Sequence, residues 1–214
     1  MHPARIRDFK MGIFSFLKAN SQSEDEKGVV INGVRWATRN VDFPGTFAAK
    51  PEDSGMFYQW NCKKAWPVIG DVTGWDSNWD TKEECFRVEN NWATVDNWER
   101  TNDPSPIGWR VPTLDEIEKL FDIGKVRHVW TTRKGVNGRK FTDKATGNSI
   151  FLPAVGYRGY KEGTLYHDVG GYSGYWSSDK VPHFQGYCLR IFNGNADNYC
   201  FILSSGLSVR SVAE

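Results

Sequence analysis

The residues of this chain that could bind a metal or act as nucleophiles are few and widely spaced. Cysteine and histidine side chains hold zinc when they occur in close pairs, such as two cysteines separated by two residues. No such pair or cluster occurs here: the candidates are Cys62, Cys85, Cys188 and Cys200, with His2, His128, His167 and His183. The spacing predicts no structural zinc site and favours free thiols. The even number of cysteines leaves two disulfides open if the protein is exported.

Two other motifs resemble functional sites only in part. Residues 76–80 imitate the start of a calcium loop, but Thr81 stands at the glycine position and Arg87 at the position of the bidentate acid. His167 and Asp168 form a lone acid–base pair before two glycines, which is more typical of a surface turn. A nucleophile elbow, a phosphate loop and a dinucleotide-binding motif are all missing. We therefore predict no catalytic residue, no metal and no cofactor, and expect a protein that is not an enzyme.

The composition narrows the class of protein further. The chain has 214 residues and a net charge of +1, with 39% hydrophobic and 25% charged residues. This balance is typical of a folded domain without a membrane span, and it lacks the basic face that nucleic acid requires. The aromatic content is high, with 10 Trp, 13 Phe and 8 Tyr beside 21 Gly. Such a composition indicates a loop-rich fold held together by tryptophans.

Periodicity places these residues on short elements. Asn32-Gly33 between two apolar runs predicts a β-hairpin. The strongest helix prediction covers Thr113–Gly124, where Thr113 and Glu116 form a capping box. Residues 61–107 indicate an ordered, Trp-rich insertion. Short strands are predicted at 56–60, 129–132, 139–142, 149–152, 175–176, 187–191, 199–203 and 207–210. The pattern predicts an α+β fold with one or two helices, many short antiparallel strands and long ordered loops, in which 1–27 form an N-terminal helix and linker and 28–214 the domain.

Five stretches together resemble one protein family. They are Gly33-Val-Arg-Trp-Ala-Thr-Arg-Asn-Val41, Asn102-Asp-Pro-Ser-Pro-Ile-Gly-Trp-Arg-Val-Pro-Thr113, Ile150-Phe-Leu-Pro-Ala-Val-Gly-Tyr-Arg158, Gly174-Tyr-Trp-Ser-Ser178 and Gly206-Leu-Ser-Val-Arg-Ser-Val212. In this order they resemble the Fibrobacter succinogenes major paralogous domain family of gut Bacteroidetes and their phages, which is close to the variable proteins of diversity-generating retroelements. The resemblance implies a C-type-lectin-like fold of the formylglycine-generating-enzyme type and ligand binding rather than catalysis. The family often has Cys where Ser105 stands, so a disulfide through that position is absent here.

The last part of the chain carries the signal of such diversification. Adenine randomisation in retroelement-diversified relatives does not produce Lys, Glu, Gln, Met or Trp at the variable positions. The chain holds 14 Lys, 11 Glu, 3 Gln, 3 Met and 10 Trp, yet residues 186–213 contain none of them. Apolar strands avoid Lys and Glu in any case, which is the bland explanation. The observation favours a diversified segment.

Strand alternation separates fixed from variable positions within that segment. Tyr187, Leu189 and Ile191 share one face and match the fixed core of the family, as do Gly206, Leu207, Val209 and Arg210. The positions that match variable ones are predicted to form an exposed ligand-binding surface: Cys188, Arg190, Phe192, Asn195, Asp197, Tyr199, Cys200, Phe201 and Ile202. Two alternatives remain open. Phe192, Phe201 and Ile202 belong to the core in one, and Cys188 pairs with Cys200 in the other.

These features lead to three functional hypotheses. The first is a display protein whose C-terminal surface recognises a protein or another partner on a cell surface. The second is a non-diversified adhesin module that binds glycan on exposed tryptophans within 61–107, such as Trp75 and Trp79. The third is an oxidoreductase of the formylglycine-generating type, which needs a reactive cysteine pair. We expect no clear signal peptide, a location at the cell surface or on a phage virion, and a monomer rather than an oligomer.

Overall fold

The computed structural model describes residues 27–77, 96–166, 169–181 and 184–214. The N-terminal helix and linker predicted for 1–27 lie outside these residues except for Lys27. Several other predicted features also lie outside them: Cys85, Trp79, the His167–Asp168 pair and most of the calcium-like loop.

Strands dominate the described part of the chain, and the expectation of an α+β fold is wrong. Strand accounts for 42% of it and helix for 7%. The only α-helix there, α1 (Leu114–Glu118), is too short to form a layer of its own. The twelve strands of the described part are β1 (Val29–Ile31), β2 (Val34–Trp36), β3 (Trp109–Arg110), β4 (Val126–Arg133), β5 (Val136–Asp143), β6 (Ser149–Pro153), β7 (Tyr157–Arg158), β8 (Leu165–Tyr166), β9 (Tyr172–Val181), β10 (Gln185–Phe192), β11 (Ala196–Ile202) and β12 (Val212–Ala213).

The strands form four small antiparallel sheets. Their orders are β1-β2-β12-β3, β11-β10-β9, β4-β5-β6 and β7-β8. The predicted hairpin between β1 and β2 is confirmed, with φ of 47° at Asn32 and 80° at Gly33, the left-handed pair that a tight hairpin turn needs. The segments predicted as strands at 56–60 and 207–210 form isolated bridges instead, including Tyr58 with Leu207.

The start of the predicted helix is confirmed and its length is not. The Thr113 hydroxyl accepts from the Glu116 amide and the Glu116 carboxylate accepts from the Thr113 amide, which completes the capping box. The helix ends at Glu118, and residues 119–121 continue as a tighter 3₁₀ turn. Ile117 and Leu120 are both buried, so the apolar side chains of this segment already contact the core before the chain enters β4.

The sheet β9-β10-β11 lies between two parts of the hydrophobic core. Tyr175 and Leu189 pack on one side with Trp36 and Ile117. Trp176 and Cys188 pack on the other side with Trp60 and residues of the 203–209 segment. Trp109 and Trp176 are buried, in agreement with the expectation that tryptophans hold the fold together. The sheet is therefore a rigid platform for any side chain that projects from its uncovered parts.

Two buried arginines connect the loops to this core. The guanidinium of Arg210 donates to the Asn40 side chain and to the carbonyls of Ala37 and Phe151. That of Arg158 donates to four carbonyls in the 67–70 and 159–163 loops. Neither guanidinium bonds a carboxylate among the described residues. Backbone oxygens thus compensate for the burial of two positive charges.

Candidate binding surface

The nine predicted site residues all fall on β10, β11 and the turn between them. In the register of this pair, Arg190 lies opposite Asp197 and Cys188 opposite Tyr199. Eight of the nine retain solvent exposure, whereas Cys188 has none. The prediction that Cys188 is exposed is wrong, because Trp60 and Trp176 cover its end of the strand. The alternation holds for Leu189 and Ile191, which face the opposite core, whereas Tyr187, the third predicted core position, is only partly buried.

The alternative in which Phe192, Phe201 and Ile202 are core residues is answered by their partial burial. All three are intermediate in exposure, so they form a boundary between core and surface. Phe201 packs against the buried cluster around Trp176. The core therefore holds Phe201 from below, and its exposed part can still contact a partner from above.

Arg190 is the most constrained charged side chain of the surface. Its Nε and Nη2 donate to the two carboxylate oxygens of Asp197 at 2.7 and 2.6 Å, a bidentate pair across the strands. The guanidinium lies 4.1 Å from the ring centre of Tyr199 and 5.3 Å from that of Phe192. The hydrogen bond to Asp197 raises the pKa of Arg190. We call the set Arg190, Phe192, Asp197, Tyr199 and Phe201 the arginine–aromatic face.

The position of this face is fixed by a third arginine. Arg139 of β5 is buried, and its Nη2 donates to the carbonyl of Phe192 at 2.8 Å, where β10 ends. Its Nη1 lies 2.7 Å from Nδ1 of His128, and burial lowers the pKa of both groups. The amide of Phe192 donates to the carbonyl of Asn195 and closes the turn. The exposed Asn195 is thus presented on a short, hydrogen-bonded turn.

A group of tyrosines that the sequence reasoning missed continues the surface. Tyr157 of β7 stacks on Tyr166 of β8 at 5.0 Å with the rings 6° from parallel. Tyr157 also meets Phe201 edge-on at 4.9 Å, and Phe201 meets Tyr199 at 5.4 Å. The rings of the β7-β8 hairpin and of β11 therefore form one continuous cluster. Two tyrosines three residues apart, followed by Gly163 and a third tyrosine, were the available sequence signal of this hairpin.

An open pocket of about 270 Å³ lies between the hairpin and β11, the edge strand of its sheet. Five aromatic side chains contribute to its wall: Tyr157, Tyr160, Tyr166, Tyr199 and Phe201. The remaining lining residues are uncharged: Gly159, Gln185, Cys200, Ile202 and Ser205. We call this cavity the tyrosine pocket. It brings together four of the nine predicted residues, Tyr199, Cys200, Phe201 and Ile202. The other five lie outside its lining: Cys188, Arg190, Phe192, Asn195 and Asp197.

The thiols near this surface are unreactive in character. Cys62, Cys188 and Cys200 are free, so the alternative of a Cys188–Cys200 disulfide is not realised. Burial raises the pKa of the Cys188 thiol, which is fully buried, and that of the Cys200 thiol, which is partly buried. A thiol with a raised pKa is protonated at neutral pH and is a poor nucleophile. Within the described residues, no group of three potential metal ligands from His, Cys, Asp and Glu comes together.

The tryptophans of 61–107 that the structure describes, on which the glycan-binding alternative depends, are engaged in packing. Trp66 and Trp98 are buried. Trp75 packs on Trp66 at 4.9 Å, and its Nε1 donates to the carbonyl of Tyr160. Trp75 therefore supports the pocket wall from behind, and Trp79 lies outside the described residues.

Comparison of the chain with protein-family models, with curated proteins and with solved structures finds no match. The comparisons thus give no support to the family or to the C-type-lectin-like fold that the resemblance implies. None of the helices in the described part of the chain has the length and apolar character needed to cross a membrane.

Proposed function

We propose that this protein is a binding module that recognises a partner on a cell surface through the arginine–aromatic face and the tyrosine pocket. One observation carries the proposal. Half-exposed aromatic rings and a bidentate Arg190–Asp197 pair form a continuous surface beside an open pocket. Tyrosine and arginine are the residue types that dominate binding energy at protein interfaces.

The rigidity of this surface supports the proposal further. Association loses free energy when flexible side chains become ordered, so a surface whose groups are already fixed binds more tightly. Asp197 and Tyr199 hold Arg190, and the buried core below holds Phe201. Tyrosine adds a large contact area with few rotatable bonds. Arg190 and Phe201 therefore lose little conformational freedom when a partner binds.

We also propose that the diversified positions of the segment 186–213 are the exposed and half-exposed ones on β10, on β11 and in the turn between them, whereas the buried residues 203–212 belong to the fixed scaffold. Eight of the nine predicted positions avoid full burial, so substitutions there leave most of the core packing unchanged. The flanking DNA tests this part separately. A near-identical template repeat beside a reverse transcriptase gene is the expected finding, and the absence of both would contradict diversification.

A photo-crosslinking experiment tests the binding surface. p-Benzoylphenylalanine replaces Tyr199 on the arginine–aromatic face or, as a matched control, Val129 on β4, which is exposed to a similar degree at 43% against 44%. The labelled proteins are incubated with intact intestinal epithelial cells and gut bacteria and then irradiated. We expect a discrete crosslinked product from position 199 and none from position 129. Equal yields from the two positions, or no product from position 199 together with no saturable binding of the unsubstituted protein to these cells, would contradict the proposal.

A further inference from the structure

We propose that the tyrosine pocket binds a neutral sugar residue, so that the partner is recognised through one uncharged ring of a surface glycan. The inference rests on the proposed function and names the ligand class of its pocket. It uses a different site from the tryptophans of 61–107, and three features of the described lining support it: charge, hydrogen-bonding capacity and ring stacking.

The charge of the lining selects against ionic ligands. The described residues that line the pocket include no carboxylate, ammonium or guanidinium group. A charged ligand would lose its hydration in the pocket without gaining an oppositely charged partner, and this costs free energy. Arg190 next to Tyr199 does not alter this balance, because Asp197 neutralises it through both carboxylate oxygens.

The polar groups of the pocket suit a ligand with several hydroxyls. Ser205 lines the pocket and is buried at 1% exposure. Tyr166, Tyr199 and Gln185 belong to the same lining and carry two hydroxyls and one side-chain amide. Each of these groups both donates and accepts, as sugar hydroxyls do. A purely apolar ligand would displace water from these polar groups without replacing its hydrogen bonds, at a cost in free energy.

The ring of Tyr166 is held as a stacking surface. The ring of Tyr157 lies parallel to that of Tyr166 at 5.0 Å. Gly159 is so close to the Tyr166 ring that a Cβ added to Gly159 would lie 2.2 Å from Cε2 of Tyr166. The ring nevertheless remains 48% exposed. A flat apolar face beside hydroxyl-binding groups complements a sugar ring, whose C–H face is apolar and whose edge is polar. The volume of about 270 Å³ is small and indicates one ring rather than a long oligosaccharide.

The test uses the full chain and a panel of small sugars. Saturation-transfer NMR measures binding of the methyl glycosides of glucose, galactose, mannose, N-acetylglucosamine and fucose, with glucuronic acid and glucosamine as charged counterparts. We expect at least one neutral sugar to bind and both charged sugars to bind more weakly. Tyr166→Ala raises the Kd of the bound sugar about 10-fold because the stacking face is lost.

Gly159→Ala is the sharper variant. Gly159 does not have a positive φ, so its backbone accommodates alanine, and the exposed Tyr166 ring must move to make room. We expect loss of sugar binding with the thermal midpoint nearly unchanged. Gly124→Ala is the matched control, because Gly124 also has no positive φ and does not line the pocket. Absence of binding by every neutral sugar, stronger binding of a charged one, or unchanged affinity in Tyr166→Ala and Gly159→Ala would overturn the proposal.

Failure of this inference is distinguishable from failure of the proposed function. The position-199 crosslink is repeated on cells treated with periodate, which destroys sugar diols, or with protease. Loss after periodate supports the glycan. A crosslink that survives periodate and disappears with protease shows a protein partner, so the sugar proposal is wrong and the binding function stands. No crosslink on untreated cells, together with no saturable binding of the unsubstituted protein to them, overturns the binding function itself.

Discussion

Arg158 joins the tyrosine pocket to the rest of the protein, and its replacement by lysine should be costly. The side chain is 2% exposed and donates to the carbonyls of Gly163, Gly70 and Pro67 at 2.5, 2.6 and 2.7 Å, with a longer contact of 3.4 Å to Val68. Burial lowers the pKa of this guanidinium. Lysine keeps the positive charge but presents one nitrogen in place of a planar fork.

The expected magnitude follows from the number of bonds lost. A lysine ammonium reaches one of the three near carbonyls well and leaves two without their donor. A hydrogen bond to a charged group contributes about 1.5 kcal/mol at the low end, so Arg158→Lys should lower the free energy of unfolding by about 3 kcal/mol. For a chain of this size that corresponds to a drop of roughly 6–12 °C in Tm.

Urea unfolding followed by tryptophan fluorescence measures this loss. Arg35→Lys is the matched control, because Arg35 is exposed and bonds a single carbonyl, that of Lys27. We expect the control to change the free energy of unfolding by less than about 0.5 kcal/mol. An Arg158→Lys loss below about 1 kcal/mol, or equal to that of the control, would refute the idea that hydrogen bonds from Arg158 to these carbonyls fix the β7-β8 hairpin.

Two further predictions concern the buried platform beneath the surface. Burial raises the pKa of Tyr175 to about 12 from the ordinary tyrosine value of about 10, so between these values the unfolded chain loses a proton that the folded chain keeps. Stability should therefore fall as pH rises from about 10 to 12, by up to about 1.4 kcal/mol per pH unit from this group, and the fall should be shallower in Tyr175→Phe when both are unfolded in urea across that range. Cys188→Ser buries a hydroxyl within an apolar cluster and should lower the free energy of unfolding by about 1–3 kcal/mol. Cys200→Ser, at a half-exposed position, should change it by less than about 0.5 kcal/mol, and equal effects in denaturant melts would show that Cys188 is not a core residue.

Local signals predicted the local structure well, and long-range packing decided the rest. The Asn32-Gly33 turn and the Thr113 capping box depend on neighbouring residues, and both were predictable. The length of the helix depended on where Leu120 meets the core. The burial of Cys188 depended on Trp60, which is remote in sequence. The tyrosine pocket forms because the hairpin with Tyr157 and Tyr166 packs beside β11, a contact with no signature in either segment.

The role of the arginine–aromatic face is the central claim, and cell-binding affinity tests it most directly. Fluorescently labelled wild type, Arg190→Ser/Tyr199→Ser and the control Arg127→Ser/Val129→Ser are titrated onto the cells used for crosslinking. Arg127 and Val129 are an exposed arginine and an exposed apolar residue on β4. We expect saturable binding by the wild type and the control, and a Kd at least about 10-fold higher for the face variant. An unchanged Kd in the face variant, or an equal loss in both double variants, would contradict the claim.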